Sequence, residues 1–205
     1  MSKAIALTFD DGHSNVTSKI LDILENEGIK GTFFLIGNHI SEETKPLLER
    51  QIKGGHEICN HSMTHSPLAE FAADDIRKEI EDTTKKIETL SDGRVTPKFF
   101  RPPYLSVSDT MFDNIDLPFV DGVDSRDWDA PVTVEERINN VMTLSKDGAI
   151  VLMHDFTDNV RTVEALPTII SKLRGEGYEF YTVSELFELK GINPHVKGKI
   201  WRYVE

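Results

Sequence analysis

The stretch Ala4-Ile-Ala-Leu-Thr-Phe-Asp-Asp-Gly-His13 runs directly from a continuous apolar segment into two adjacent carboxylates. An apolar run of this length closed by Gly12 reads as a core strand of a parallel sheet, buried on both faces. Asp10 and Asp11 then stand at its C-terminal mouth. Adjacent carboxylates repel, so a fold that brings both there needs a compensating charge, and a bound cation supplies it economically. The bland alternative is a solvated Asp-Asp-Gly turn.

The rest of the chain alternates between the two periodicities. Val16, Ile20, Ile23 and Leu24 recur at helical spacing up to Gly28, and Thr32-Phe-Phe-Leu-Ile36 reads as a strand. A second helix is expected from Ser41-Glu-Glu to Gly54-Gly55, a strand at His56-Glu-Ile-Cys59, and a long helix between Asp74 and Ser91. Strands are expected at Lys98-Phe-Phe-Arg101 and Leu117-Pro-Phe-Val120, a helix over Val134–Leu144, and a strand at Ala149-Ile-Val-Leu-Met153. Val163, Leu166, Ile170 and Leu173 mark a helix with Pro167 in its first turn. Tyr178–Thr182 and Ser184–Lys190 close the series as strand and helix. Without repeats or a Pro/Ser linker, this order predicts one α/β domain over residues 1–205 with a parallel sheet or barrel.

Composition narrows the partners. A net charge of -12 argues against nucleic acid and anionic surfaces and suits a neutral substrate. No stretch is apolar and long enough to span a bilayer, so no membrane is expected. Cys59 is the single cysteine, which excludes an intrachain disulfide and reads as a small core residue. Met1 directly before the first strand suits either a cytoplasmic protein or a secreted catalytic module with its signal removed, and localisation stays open between them.

Residues with chemistry follow the apolar strands repeatedly. Asp10 and Asp11 follow the first, His61 and His65 the third, Arg101 the Phe-Phe strand, Asp124 and Asp127 the Phe119-Val120 strand, and His154 the Ile150–Met153 strand. In an α/β barrel these positions share the C-terminal rim, where active sites are built. His61 and His65 have the i, i+4 spacing that would bring both imidazoles to one face of a helical turn. With a carboxylate from Asp11 they make three ligands and leave a fourth position for water, as in catalytic zinc sites, while the same set also suits iron. A chance pair of surface histidines is the competing reading. Asp127 is the expected partner of His154, raising its pKa so that it carries a donatable proton near neutral pH, and Asp155 is the rival partner. Trp128, beside a rim carboxylate, reads either as core or as a pocket wall. His39, His56 and His195 read as structural or solvated, and His13 stays open.

Thr8-Phe-Asp-Asp-Gly12, His61-Ser-Met-Thr-His65, Arg101-Pro-Pro-Tyr104, Asp124-Ser-Arg-Asp-Trp128 and Ile150-Val-Leu-Met-His154 resemble, in order, the five motifs of the polysaccharide deacetylases of carbohydrate esterase family four. The resemblance implies a distorted TIM-like (β/α) barrel of seven or eight strands and metal-dependent removal of acetyl groups from sugars. It assigns Asp10 as general base, Asp11, His61 and His65 as metal ligands, and His154 as general acid. It further implies that Arg101 orients Asp10, Asp127 tunes His154, the Tyr104 N–H binds the oxyanion, and Trp128 and Leu152 form the acetyl-methyl pocket. One divalent ion is expected, zinc first, with cobalt, nickel or another divalent metal as alternatives. His13 departs from the proline usual after Asp-Asp-Gly. Thr96–Pro103, Asp113–Asp116 and Glu185–Gly191 look most like the acetylxylan esterase branch, so acetylxylan is the expected substrate. The alternatives are N-deacetylation of chitooligosaccharide or peptidoglycan N-acetylglucosamine, and a non-catalytic sugar-binding barrel.

Overall fold

The computed structural model describes residues 2–205. Its strands are β1 (Lys3–Asp10), β2 (Thr32–Leu35), β3 (Glu57–Asn60), β4 (Phe119–Val120), β5 (Val123–Asp124), β6 (Ala149–His154), β7 (Tyr178–Tyr181) and β8 (Ile200–Trp201). Its helices are α1 (Thr17–Glu27), α2 (Lys45–Lys53), α3 (Ala73–Leu90), α4 (Asp109–Asn114), α5 (Val134–Leu144), α6 (Val160–Gly175) and α7 (Val183–Lys190).

β1 is the central strand, as its unbroken burial requires. It pairs in parallel with β6 along most of its length, from Ile5↔Ala149 to Asp10↔His154. Its other edge is divided. β7 pairs with the lower half, Lys3–Ala6, and β2 with the upper half, Thr8–Asp10. This divided edge is the distortion of the barrel. Closure on the far side runs through single bridges: Phe100 joins Asn60 to Phe119, β4 pairs with β8, and the Ile150 N–H donates to the Arg202 carbonyl at 3.1 Å.

The period of two sorts β1 between two cores. Ile5, Leu7 and Phe9 pack outward with Leu21, Leu24, Leu166 and Ile170 of the surrounding helices. Ala4 and Ala6 face inward with Phe34, Cys59, Ile150 and Trp201. Full burial of a side chain such as Phe9 stabilises the fold by about 1.5–3 kcal/mol. Thr8 and Asp10 share the inward parity of Ala4 and Ala6, so the strand register alone delivers a carboxylate to the top of the barrel interior.

Capping explains several boundaries. Thr133 with Glu136 and Thr182 with Glu185 form capping boxes on α5 and α7, and Gly28 (φ 65°) ends α1 in the left-handed conformation that glycine adopts at least cost. Elsewhere the structure differs from the sequence expectation. Ser41–Glu43 form turns ahead of α2, which starts at Lys45. Pro167 lies in the interior of α6, which begins seven residues earlier at Val160. Buried Thr162 and Ala165 pin that early turn to the core, so packing extends the helix upstream of its first obvious apolar residue. Lys98–Arg101 contributes two isolated bridges through Phe100 rather than a strand, and β5, β8 and α4 are too short to show a period.

Candidate active site

The strand registers place the ends of β1, β2, β3 and β6 close to one level, with β5 ending two residues lower, and the loops above them form a cleft of about 430 Å³. Nine of the residues singled out in the sequence line it: Asp10, Asp11, His61, His65, Tyr104, Asp124, Trp128, Leu152 and His154. Arg101 and Asp127 lie behind it, fully or almost fully buried against Asp10 and His154.

The two adjacent carboxylates have different partners. Asp10 Oδ1 accepts from Arg101 Nη1 at 2.6 Å, while the same nitrogen donates to Thr8 Oγ1 at 2.7 Å and Nη2 donates to the Asp121 carbonyl at 2.7 Å. The Arg101 guanidinium also lies 4.2 Å over the Phe34 ring. A buried arginine held at this many points fixes the orientation of the Asp10 carboxylate. Asp11 turns the other way, with the backbone in the left-handed region at φ 75°. Its Oδ1 lies 3.3 Å from His61 Nε2 and 3.4 Å from His65 Nε2.

These three residues fit one metal ion. Ligands bound at about 2.0–2.1 Å in a tetrahedron stand about 3.3–3.4 Å apart, the spacing seen from Asp11 to each histidine. Asp11 Oδ1 is buried and has no hydrogen-bond partner among the described residues, as a donor atom kept for a cation would be. His61 Nδ1 donates to the Arg101 carbonyl at 2.7 Å, which leaves the Nε2 lone pair facing Asp11. Burial raises the Asp11 pKa, but the close approach of His61, with His154 and His65 behind it, outweighs this and holds the carboxyl well below the usual range. Burial, and then the neighbouring His61, push His65 toward its neutral, ligating form. The histidines converge from a loop, not from the helical turn that their spacing suggested. Ser62 (φ 66°) and His65 (φ 56°) adopt left-handed backbone, and no helix forms between β3 and Pro67.

Across the cleft, His154 Nδ1 donates to Asp127 Oδ1 at 2.6 Å, which directs Nε2 toward the opening. Asp127 Oδ2 accepts from the His154 backbone N–H, Asn159 Nδ2 and Thr162 Oγ1 at 2.8, 3.1 and 2.7 Å. Arg137 braces both of these neighbours through Asn159 Oδ1 and Thr162 Oγ1. Burial lowers the His154 pKa, but the Asp127 charge and hydrogen bond, aided by Asp10 and Asp11, raise it to about 9. Asp155, the rival partner, points away. Its Oδ2 accepts from Thr17 Oγ1 at 2.5 Å, and burial pushes its pKa up to about 7. A Cβ on Gly12 would sit 2.4 Å from that carboxylate, so only glycine fits at this contact.

Tyr104 (φ 57°) presents an exposed ring whose centroid is 4.6 Å from that of His65, and its N–H has no acceptor among the described residues. Trp128, 55% exposed, is a cleft wall rather than core, and its Nε1–H donates to Asp124 Oδ2 at 3.1 Å. Leu152 lines the floor between them. His13 is buried and bonded to Gln51 Oε1 at 2.8 Å, outside the cleft. His56 accepts from the Gly31 N–H, His39 Nδ1 donates to the Asp11 carbonyl, and His195 lies away from the site. Sequence reasoning passed over Thr8, Asp121, Arg137, Asn159 and Thr162. Only Thr8 carried a signal, its shared parity with Asp10.

No helix among the described residues is long and apolar enough to cross a membrane. Residues 1–116 match the polysaccharide deacetylase family. A bifunctional xylanase/deacetylase of Pseudobutyrivibrio xylanivorans is 49% identical over 203 residues, 99% of this chain, which spans 33% of that protein's length. Two solved structures superpose closely. The Xyl-CE4 domain of a multidomain xylanase from the hindgut metagenome of Trinervitermes trinervoides has a TM-score of 0.97 at 49% identity, covering 100% of this chain and 98% of that one. A family 4 acetyl xylan esterase from Clostridium thermocellum, in complex with a cobalt ion, has a TM-score of 0.93 at 42% identity, covering 98% and 99%. Fold, site and similarity agree: the chain belongs to the polysaccharide deacetylase family of carbohydrate esterases.

Proposed function

We propose that this chain is a metal-dependent esterase that hydrolyses O-acetyl groups of acetylxylan. The observation that carries the reading is the division of labour at one cleft. Asp10 is held by Arg101 with its Oδ2 3.8 Å from His61 Nε2, Asp11 faces His61 and His65 more closely, and a strongly basic His154 stands opposite. Asp11, His61 and His65 would hold one divalent ion, with zinc as the first candidate. Such an ion supplies Lewis acidity toward the acetyl carbonyl and makes water acidic enough to deprotonate near neutral pH.

The chain's own groups do the rest. Asp10 accepts the proton from the attacking water, and Arg101 keeps it aimed. The Tyr104 N–H donates to the oxygen that becomes negative as the carbonyl is attacked. His154, protonated through Asp127, delivers a proton from Nε2 to the departing sugar oxygen. Trp128 and Leu152 enclose the acetyl methyl, where an apolar wall excludes water. The chain's negative charge suits a neutral xylan, and the similarity to xylan-linked relatives points the same way. The test is acetate release from acetylxylan by the metal-loaded protein. No release from acetylxylan, with release from N-acetylated oligomers, would reassign the substrate. Release from neither would leave a sugar-binding barrel.

A further inference from the structure

Ser62–His65 carries one of the two histidine ligands and connects it to the other, yet no helix or strand holds it. Left-handed backbone at Ser62 and His65 is unfavourable for residues with a Cβ, so the surroundings must impose this shape. Part of the restraint is local. The Ser62 N–H donates to Asn60 Oδ1 at 2.8 Å and the His65 N–H to Ser62 Oγ at 3.0 Å. Part comes from the loop after β2, whose Gly37 and Asn38 N–H groups donate to the Ser62 and Met63 carbonyls, both at 2.9 Å. Gly37 permits this approach, since a Cβ there would lie 2.5 Å from Met63 Sδ.

The remaining restraint is a single carboxylate from α3. Glu79 Oε2 accepts from the backbone N–H groups of both Met63 and Thr64, each at 2.9 Å. Its Oε1 accepts from Thr64 Oγ1, also at 2.9 Å. Glu79 makes no ion pair among the described residues, so its charge is directed at the loop alone. Two successive N–H groups pointing at one carboxylate fix the orientation of the middle two of the four peptides that link the histidines.

From this we infer that Glu79 is a positioning residue of the metal site: it folds the loop so that His61 and His65 Nε2 both face Asp11. The inference rests on reading Asp11, His61 and His65 as the ligand set. It predicts that metal affinity depends on a side chain that touches no ligand atom.

The test is titration of the metal-free protein with cobalt(II), read by calorimetry and visible absorption, with thermal melts of each apo-protein. The variants are Glu79→Ala, Glu79→Gln, His61→Ala and, as a charge control, Glu81→Gln. Glu81 is exposed on the same helix and its side chain makes no hydrogen bond or ion pair among the described residues. The wild type binds one equivalent and His61→Ala loses it. Glu79→Ala weakens binding about 10–100-fold with an altered absorption spectrum. Glu79→Gln, which keeps one acceptor oxygen and the side-chain volume, falls between and serves if the alanine variant does not fold. Glu81→Gln binds as the wild type does. Wild-type affinity and spectrum in a folded Glu79 variant overturn the inference, as does equal weakening in Glu81→Gln, which would make the effect one of charge. A wild type that takes up no cobalt overturns the ligand set itself.

Discussion

Replacing Asp127 with asparagine removes the charge that keeps His154 protonated while preserving the shape of the site. Three donors converge on Oδ2, from the His154 backbone, Asn159 and Thr162, so the asparagine oxygen belongs there. Its NH2 group then faces His154 Nδ1, which must accept, and the imidazole becomes neutral with its proton on Nε2. An adjacent opposite charge shifts a pKa by about 1–3 units, equivalent to about 1.4–4 kcal/mol between the two protonation states. The wild-type imidazole sits at about 9. A bound dication offsets the contributions of Asp10 and Asp11 and lowers this value, but the Asp127 contribution remains. The alkaline limb of kcat/KM should therefore move down by about 1–3 units in Asp127→Asn. The activity ratio of wild type to variant should widen from pH 6 toward pH 8.5. The assay is acetate release across that range, with NMR titration of the His154 ring in the apo-protein. The same pair makes a stability contribution that is full below pH 6.5 and fades as pH rises through about 9. An unmoved limb with a lowered imidazole pKa would refute His154 as the acid whose titration limits the rate.

Other outcomes separate binding from chemistry. His61→Ala or His65→Ala should empty the metal site, whereas Asp10→Asn should retain metal by elemental analysis and lose most turnover; a metal-free Asp10→Asn would make Asp10 a ligand. Asp155 is held neutral by burial, with its pKa raised to about 7 from 3.8, so ionising it weighs against the fold as pH climbs through that window. Asp155→Asn should accordingly gain stability relative to wild type between pH 4.5 and pH 8 in apo-protein denaturation, and a constant difference would contradict the neutral assignment. Acetate should be released faster from acetylxylan than from N-acetylglucosamine oligomers at equal acetyl concentration, because an ester carbonyl is more electrophilic than an amide's and the amide nitrogen cannot leave until it is protonated. A higher specificity constant for the oligomers would overturn the xylan assignment and leave the metal, base and acid assignments standing.

The sequence by itself determined the frame and the membership of the site. An eight-residue strand buried on both faces can sit only at the centre of a parallel sheet, and polar residues at strand ends can then lie only on its rim. That logic located Asp10, Asp11, His61, His65, Arg101 and His154, because it depends on local periodicity alone. Tertiary structure decided who faces whom. Asp127 rather than Asp155 holds His154 because residues 154 and 155 leave the strand in opposite directions, one toward the cleft and one into the packing beside Gly12. His61 and His65 meet through a loop restrained by α3 and the turn after β2, contacts that no i, i+4 rule contains. Trp128 stands as a wall of the cleft, tied by its Nε1–H to Asp124, which pairs with Leu152 across β5 and β6. Two-residue strands such as β4, β5 and β8 carry no periodic signal, since hydrogen bonds to distant partners alone define them.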